Sequence, residues 1–398
     1  MSSHPIQLVE AYGAHNYHPL PVVIQRAEGV WVWDESGRRY LDMLSSYSAL
    51  NQGHRHPRVI AAAHAQLDRV TLTSRAFHND QLGPFLQTLS AVSGFSRALP
   101  MNSGAEAVET GLKAVRKWGY TVKGVAPDAA RIIVAANNFH GRTITIVSYS
   151  TEAQYRGGFG PFTPGFDVVP YGDAEAVARA ITPDTVAVHV EPIQGEAGVI
   201  VPPVGYLRRL REICDANRAL LFLDEIQTGL ARTGKMWAFE HEGIRPDCIA
   251  VGKALGGGVY PVSAFCADDA LMNVFTPGDH GSTFGGNPMA AAVGKAALDV
   301  LVEEKLADRA AEMGAYLMGR LRALDDDRVV EVRGAGLLIG MEMAVAAGPA
   351  RRYCEALMRR GVLCKDTHHQ VIRFAPPLVI DREAVDFAVD QVAAVLAE

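Results

Sequence analysis

Two short apolar runs, each leading directly to a charged residue, constrain the fold of this chain more than any other feature. The runs are Leu220–Leu223, which is followed by Asp224, and Ile249–Val251, which is followed one glycine later by Lys253. Short apolar runs bounded by turn or charge signals are typical of strands buried on both faces of a parallel sheet. Chemistry in open α/β sheets lies beyond the carboxyl ends of the strands. We therefore expect Asp224 and Lys253 to reach the same edge of one sheet.

An acid and a lysine at neighbouring strand ends suggest pyridoxal 5′-phosphate (PLP). In such sites the lysine forms a Schiff base with the cofactor and the aspartate holds the pyridinium N–H. The alternative is that Asp224 is a solvated strand terminus and Lys253 a surface lysine, which is the commoner state of charged side chains. The sequence around the two residues favours the cofactor site.

That surrounding sequence carries a family resemblance. DEIQTGLARTG at residues 224–234 and GKALGGGVYPVSA at residues 252–264 resemble the class III PLP-dependent aminotransferases of fold type I. The resemblance extends from YGAHNYHPLP at residues 12–21 to RFAPPLVI at residues 373–380. It implies an α/β fold in which a large PLP-binding domain, with a mostly parallel sheet of the seven-stranded type, carries a small α/β domain. The expected division is residues 1–48 for an N-terminal segment that joins the small domain, 49–284 for the large domain and 285–398 for the C-terminal small domain.

The turn at residues 102–106 is the candidate phosphate site. Ser103, Gly104 and Ala105 stand between a predicted strand and a predicted helix, where a hydroxyl and free helix N–H groups can bind an anion. A plain serine N-cap is the alternative. The resemblance implies that Phe139 stacks on the pyridine ring and that Gln227 bonds the phenolic oxygen. It also implies that Thr283 reaches the PLP phosphate of the other subunit, so that a homodimer shares its active sites, with higher oligomers left open.

The resemblance also implies a set of substrate-binding residues: Tyr17, Tyr47, Arg142, Glu196 and Arg373. Arg142 follows a predicted strand and is suited to bidentate binding of a carboxylate. Arg373 lies inside an apolar strand, where a charge is costly unless it faces an anion. His140, at a position where some relatives carry Trp, is predicted to be a wall residue without a catalytic role.

The activity that the resemblance implies is transfer of the δ-amino group of L-ornithine to 2-oxoglutarate, which gives glutamate 5-semialdehyde and glutamate. N-acetylornithine and 4-aminobutyrate are the alternative amino donors. A non-catalytic binding protein on the same fold is a different class of function, and Lys253, Asp224 and Arg142 together argue against it. A nicotinamide-dependent dehydrogenase is disfavoured because no GxGxxG stands at a strand-to-helix turn with an acid about 20 residues further on.

Composition and sequence patterns bear on the other kinds of protein that this chain could be. The formal net charge of −6 over 398 residues gives no basic footprint for nucleic acid. The five cysteines are scattered without a CxxC pair, which predicts reduced thiols and neither a disulfide framework nor a metal site. No apolar run approaches the roughly 18–20 residues that span a membrane. The first residues lack a basic segment followed by an apolar one, so we expect a cytoplasmic protein.

Overall fold

The computed structural model describes residues 4–398 as a succession of helices and strands. The strands are β1 (Ile24–Glu28), β2 (Trp31–Asp34), β3 (Arg39–Asp42), β4 (Arg97–Met101), β5 (Arg131–Ala135), β6 (Phe166–Val169), β7 (Thr185–Val190), β8 (Leu220–Asp224), β9 (Cys248–Val251), β10 (Ser263–Ala267), β11 (Val329–Ala335), β12 (Leu338–Met343), β13 (Val362–Leu363), β14 (Lys365–Thr367) and β15 (Val371–Phe374). The helices are α1 (Pro5–Tyr12), α2 (Ser45–Ser48), α3 (Pro57–Leu67), α4 (Leu82–Ser93), α5 (Gly104–Trp118), α6 (Ile144–Ser148), α7 (Ala153–Arg156), α8 (Ala174–Ala180), α9 (Tyr206–Ala216), α10 (Asp269–Met272), α11 (Pro288–Glu303), α12 (Leu306–Arg322), α13 (Ala350–Arg359) and α14 (Arg382–Leu396).

A seven-stranded sheet in the order β4-β10-β9-β8-β7-β5-β6 forms the centre of the molecule. Only β10 runs antiparallel to its neighbours in this sheet, so the predicted mostly parallel sheet is confirmed. The two apolar runs, Leu220–Leu223 and Ile249–Val251, lie in the adjacent parallel strands β8 and β9. Asp224 ends β8 and Lys253 follows β9, which confirms that both residues reach one edge of the sheet.

Helices cover both faces of this sheet because its strands alternate their side chains between two apolar layers. Phe222 of β8 packs with Leu112 of α5 on one face, while Leu221 packs with Leu210 of α9 on the other. The close approach of α5 depends on Gly111, since a Cβ there would lie 2.3 Å from the Phe222 ring. Ser103 caps α5 through a capping box with Glu106, which fixes where this helix begins.

Two four-stranded sheets complete the fold, in the orders β1-β2-β3-β13 and β11-β12-β15-β14. The acidic, glycine-containing turn DESG at residues 34–37 predicts a hairpin, and β2 and β3 form it. Strand β13 pairs with β3 in parallel. The sequence RGAG at residues 333–336 predicts a turn between two strands, but this boundary is wrong, because β11 continues to Ala335 and Gly334 pairs with Ile339. Helix α1 was not predicted. No helix among residues 4–398 is long and apolar enough to cross a membrane.

Candidate active site

A cavity of about 200 Å³ opens where β5, β7, β8 and β9 end. It brings together seven of the residues proposed from the sequence: Gly104, Ala105, Phe139, Glu196, Asp224, Gln227 and Lys253. The remaining lining residues are His140, Gly141, Glu191, Ile193, Ile226 and Thr228. The site is therefore assembled at the edge of the sheet from strand ends and the first turn of α5.

Asp224 is a buried carboxylate held by two hydrogen bonds. Its Oδ1 accepts from the Ile226 N–H at 3.0 Å, and its Oδ2 lies 2.7 Å from His140 Nδ1. The His140 ring stacks against His189 at a centroid distance of 4.0 Å, and His189 stacks on Phe222 at 4.1 Å. Burial, assisted by His140, lowers the pKa of His189 well below its usual value, so His189 is neutral. His140 lines the cavity as predicted, but its hydrogen bond to Asp224 was missed.

His140, His189 and Asp224 also offer donor atoms within 4.8 Å of one another, the spacing of a metal centre. A metal ion must lie in the plane of each imidazole that binds it, along the nitrogen lone pair. The two imidazole centroids lie 4.0 Å apart with 33° between the ring planes, so the rings face each other and do not share a plane. This geometry suits a hydrogen-bonded stack behind Asp224 better than a metal site.

Lys253 lines the same cavity and is partly exposed. Its backbone adopts a left-handed φ of 47°, an uncommon conformation for a residue with a side chain. Burial lowers the pKa of Lys253 to about 8, an effect that Glu196 opposes and Arg373 reinforces. A lysine with this pKa is neutral for a substantial fraction of the time near neutral pH, and a neutral amine is the form that attacks a carbonyl.

Glu196 and Arg373 form an ion pair at the cavity wall, with Arg373 Nη1 2.6 Å from Glu196 Oε1. The Arg373 side chain is only 1% exposed, and its guanidinium lies over the Tyr47 ring at 5.1 Å. Gln227 donates a second hydrogen bond to Glu196 at 3.2 Å. Burial alone would raise the pKa of Glu196, but Arg373 and Lys253 outweigh it and lower this pKa to about 2. Glu196 is therefore ionised at any ordinary pH.

Tyr47 belongs to a left-handed turn, Ser45–Ser48, in which all four residues have a positive φ. Asp42 stabilises the turn by accepting hydrogen bonds from the Leu44 and Ser45 N–H groups, both at 2.9 Å. The Ser45 hydroxyl donates to the Ala375 carbonyl at 2.6 Å, which ties the turn to the segment after β15. The turn thus fixes Tyr47 beside Arg373.

Six proposed residues are not among those that line this cavity: Tyr47, Arg373, Ser103, Tyr17, Thr283 and Arg142. The Ser103 hydroxyl is engaged in the α5 cap, and Ser103 borders a neighbouring cavity of about 550 Å³ that shares Gly104 and Lys253 with the first. Tyr17 is 73% exposed, and Thr283 is exposed and borders neither cavity. Arg142 is exposed beside the cavity, where its guanidinium lies 3.8 Å from the centre of the Tyr155 ring.

Two acids near the site were missed. Glu191 comes directly after β7, much as Asp224 ends β8, so the same strand-end rule would have identified it. Its Oε2 accepts from the Phe139 N–H at 3.0 Å, and burial beside Asp224 raises its pKa well above the usual value. Glu225 is fully buried, and burial raises its pKa to about 7. It accepts hydrogen bonds from the Thr228 hydroxyl and the Phe239 N–H, which are contacts within the protein core.

The residues present fit PLP. Lys253 offers an amine, Asp224 a buried carboxylate, and Phe139 an aromatic face at the same cavity. The N–H groups of Gly104 and Ala105 lie in the first turn of α5, where no helical carbonyl is available to accept from them. The Gln227 Oε1 is buried without a hydrogen-bond partner among the described residues, which leaves a polar atom for a bound molecule.

Comparison with known proteins agrees with this fit. The family model described as aminotransferase class-III matches residues 12–396. The chain is 59% identical over 391 residues to an ornithine aminotransferase of Brevibacillus brevis, covering 98% of this chain and 97% of that protein. It is 56% identical over 385 residues to one from Bacillus subtilis, covering 97% of this chain and 95% of that protein.

Solved structures give the same result. An ornithine aminotransferase of Toxoplasma gondii, crystallised with partial occupancy of PLP at its active site, superposes with a TM-score of 0.97 at 46% identity. This match covers 98% of this chain and 93% of that one. An acetylornithine aminotransferase of Elizabethkingia anophelis superposes with a TM-score of 0.89 at 46% identity, covering 98% of both chains. The chain belongs to the class III aminotransferases, and it is a PLP-dependent transaminase of fold type I.

Proposed function

We propose that this transaminase transfers the δ-amino group of L-ornithine to 2-oxoglutarate, yielding glutamate 5-semialdehyde and glutamate. The observation that carries the proposal is the Glu196–Arg373 ion pair, whose Glu196 lines the same cavity as Lys253 and Asp224. A free arginine at this wall would bind an α-carboxylate and present the α-amine for transfer. With Glu196 neutralising Arg373, a donor that reacts at its other end is favoured. The names of the B. brevis and B. subtilis relatives support the same substrate.

The protein residues divide the chemistry among them. When bound, PLP supplies the aldehyde that accepts the amino group and a ring that withdraws electrons from the substrate carbon. Lys253, with its pKa lowered to about 8, removes a proton from the δ-carbon of ornithine and returns one on the cofactor side. Asp224, oriented by His140, holds a proton at the pyridine nitrogen. Phe139 covers one face of the ring, and Gln227 bonds its phenolic oxygen.

Recognition of the two substrates uses the cavity mouth. Arg142 binds the α-carboxylate of ornithine, and Tyr17 and Tyr47 surround its α-amino end. With 2-oxoglutarate, Glu196 moves aside so that Arg373 takes the α-carboxylate while Arg142 takes the distal one. Since Arg373 has so little access to water, one carboxylate must replace another at this position.

The assembly and setting of the enzyme are also proposed. A homodimer with shared sites gives Thr283 a role at the partner's phosphate, and it is supported by the exposure of Thr283 outside its own cavity. The division into residues 1–48, 49–284 and 285–398 is supported by the pairing of β13 with β3. The semialdehyde cyclises to pyrroline-5-carboxylate, which connects arginine and proline metabolism in the cytoplasm.

A screen of amino donors with 2-oxoglutarate tests the substrate. Purified holoenzyme is given L-ornithine, N-acetylornithine or 4-aminobutyrate, and glutamate formation is measured. We expect kcat/KM to be highest for ornithine. A preference for N-acetylornithine, the substrate in the name of the E. anophelis neighbour, would replace the proposal. Lys253→Ala is the control, because loss of the proton-transferring amine should lower the rate about 10²–10⁴-fold.

A further inference from the structure

The Arg142 guanidinium rests on the face of Tyr155 and on no acid. Its central carbon lies 3.8 Å from the Tyr155 ring centre and 5.4 Å from that of Phe139. The two rings meet edge to face at 5.8 Å, so Phe139, Tyr155 and Arg142 form a continuous stack from the cavity outward. None of the hydrogen bonds or ion pairs among residues 4–398 involves the Arg142 guanidinium. The aromatic face is therefore the contact within the protein that orients it.

The surrounding backbone holds both halves of this contact. Arg142 precedes Thr143, whose hydroxyl caps α6 and donates to Glu109 at 2.6 Å. Tyr155 lies on α7, which Glu152 caps and which Arg156 ties to the Ser150 carbonyl at 2.9 Å. Two anchored segments thus bring the guanidinium and the ring together, while the charged end of Arg142 stays exposed to an incoming anion.

We propose that Tyr155 is a positioning residue that sets the preference for substrates with a carboxylate at the end distal to the reacting carbon. Arginine has many rotamers, and an exposed one loses conformational freedom when it clamps a ligand. Stacking on Tyr155 restricts this freedom before the substrate arrives, which lowers the entropic cost of binding. This inference rests on the proposed role of Arg142 as the carboxylate clamp.

The test compares ornithine with 1,4-diaminobutane, which has the same two amines and no carboxylate. Tyr155→Leu keeps an apolar side chain but removes the cation–π contact, and Tyr155→Phe keeps the ring. We expect Tyr155→Leu to lower the ornithine-to-diamine ratio of kcat/KM roughly two- to fivefold, the value of an exposed cation–π contact. Most of this loss should appear in KM for ornithine, and Tyr155→Phe should recover the ratio.

If Tyr155 only supports the Phe139 ring, the ornithine-to-diamine ratio should behave differently. Phe139 contacts Tyr155 edge to face, so a disturbed Phe139 would impair both donors alike and leave their ratio unchanged. Binding of glutarate, an unreactive dicarboxylate, gives a readout independent of turnover. By calorimetry, Tyr155→Leu should weaken glutarate binding by a factor similar to the loss in the ratio.

Variants in the Arg142→Ala background distinguish the role of Tyr155 from the proposed role of Arg142 as the carboxylate clamp. If Arg142 is the clamp, Arg142→Ala alone lowers the ornithine-to-diamine ratio, and adding Tyr155→Leu lowers it no further. An unchanged ratio in Arg142→Ala would overturn the clamp itself. A lowered ratio in Arg142→Ala together with an unchanged ratio in Tyr155→Leu would overturn the role of Tyr155 and leave the clamp intact.

Discussion

At the scale of single residues, the Glu196–Arg373 pair shows how a charge is tolerated inside a strand. Arg373 lies in β15 with its side chain almost wholly buried, and Glu196 Oε1 accepts from it at 2.6 Å. Because Arg373 and Lys253 overcome the effect of burial, the pKa of Glu196 is about 2 and the acid remains ionised. Removing one member of such a pair typically costs about 3–5 kcal/mol. We therefore expect a substrate carboxylate to replace Glu196 beside Arg373, so that the arginine is never left unpaired.

Glu196→Ala tests whether this pair selects the reacting amine. With Arg373 unpaired, glutamate should react faster and ornithine more slowly or at its α-amine. The ratio of the two half-reaction rates should shift at least about tenfold, which corresponds to about 1.4 kcal/mol. Stopped-flow spectroscopy of each half-reaction measures this ratio, and Glu196→Gln serves as the isosteric control without charge. A ratio equal to that of the wild type would show that Glu196 does not select the amine.

Tyr17→Phe tests the proposed recognition of the α-amino end of ornithine. Loss of a hydrogen bond to a charged group typically costs about 1.5–3 kcal/mol. We expect kcat/KM for ornithine to fall roughly 10–150-fold and that for 4-aminobutyrate, which has no α-amino group, to fall much less. Equal losses for both donors would mean that the phenol has only a structural role.

Glu225 gives a prediction about stability. Burial raises the pKa of Glu225 from a usual value near 4.5 to about 7 in the folded protein. Between these two pKa values the folded state binds more protons than the unfolded state, so the free energy of unfolding falls as the pH rises through this range. Above the higher pKa the loss in free energy is constant. Glu225→Gln should therefore raise the melting temperature at pH 8 by removing up to about 3 kcal/mol of penalty, and have little effect near pH 4.5.

Thermal unfolding at several pH values measures the effect. Glu240→Gln, at an exposed position in the same region, is the matched control and should give a melting curve close to the wild type at each pH. A Glu225→Gln protein less stable than the wild type at pH 8 would show that the buried, ionised Glu225 does not destabilise the fold.

The sequence was informative about residues that end apolar strands and silent about their partners. Lys253, Asp224 and Glu196 follow recognisable runs or loops, so their positions could be predicted. The bond from His140 to Asp224 joins residues 84 positions apart, and its geometry depends on packing between strands. The Tyr155–Arg142 stack likewise depends on where α7 lies, which no local pattern indicates.

At the scale of elements, helix α12 contains two glycines in contrasting surroundings. A Cβ on Gly314 would lie 2.0 Å from the Gly336 carbonyl oxygen, where the turn between β11 and β12 touches the helix. A Cβ on Gly319 would contact nothing within 4 Å. Gly314 is therefore required by close packing, whereas Gly319 only weakens the helix.

Alanine at the two positions should change stability in opposite directions. Gly319→Ala should raise the free energy of unfolding by up to about 1 kcal/mol through helix propensity. Gly314→Ala should lower it by about 1–3 kcal/mol or more, because the obstruction is backbone. The two melting temperatures are measured side by side. Similar shifts for both variants would show that the helix does not pack on the turn as described.

Elements with strong local patterns could be predicted, and weakly patterned ones could not. Strands β7, β8 and β9 are fully buried and consist mainly of apolar residues, which made them recognisable in the sequence. Helix α1 has eight residues and buries none of them, so its pattern is too short to predict a helix. Strand β11 continues through Gly334, whose φ of 146° is accessible to glycine. In the sequence, this glycine resembled a turn signal.

At the scale of the whole molecule, separate segments meet at Arg232. This fully buried arginine donates to the Leu337 and Pro376 carbonyls at 2.9 and 2.6 Å, and to Ser45 in the turn that carries Tyr47. Burial lowers its pKa to about 9. Such contacts between distant parts of the chain were beyond prediction from local patterns, although the overall α/β class was not.

The proposed dimer predicts what covers the exposed aromatic residues. Phe77 is 73% exposed and Phe284, next to Thr283, is 47% exposed. Light scattering should give twice the chain mass of 42.8 kDa. Phe77→Asp should shift the protein towards monomers and reduce activity, because each site would lose the partner's Thr283. A fully active monomeric wild-type protein would contradict shared sites.

Ornithine labelled with carbon-13 at its δ-carbon shows directly whether the enzyme transfers the δ-amine or the α-amine. Holoenzyme, labelled ornithine and 2-oxoglutarate are combined, and the product is examined by carbon NMR. Transfer from the δ-amine predicts that the labelled carbon becomes the aldehyde carbon and, after cyclisation, an imine CH. If the labelled carbon remains a CH₂ bonded to nitrogen, the α-amine has been transferred, and the proposed selection by Lys253, Arg142 and the Glu196–Arg373 pair is wrong.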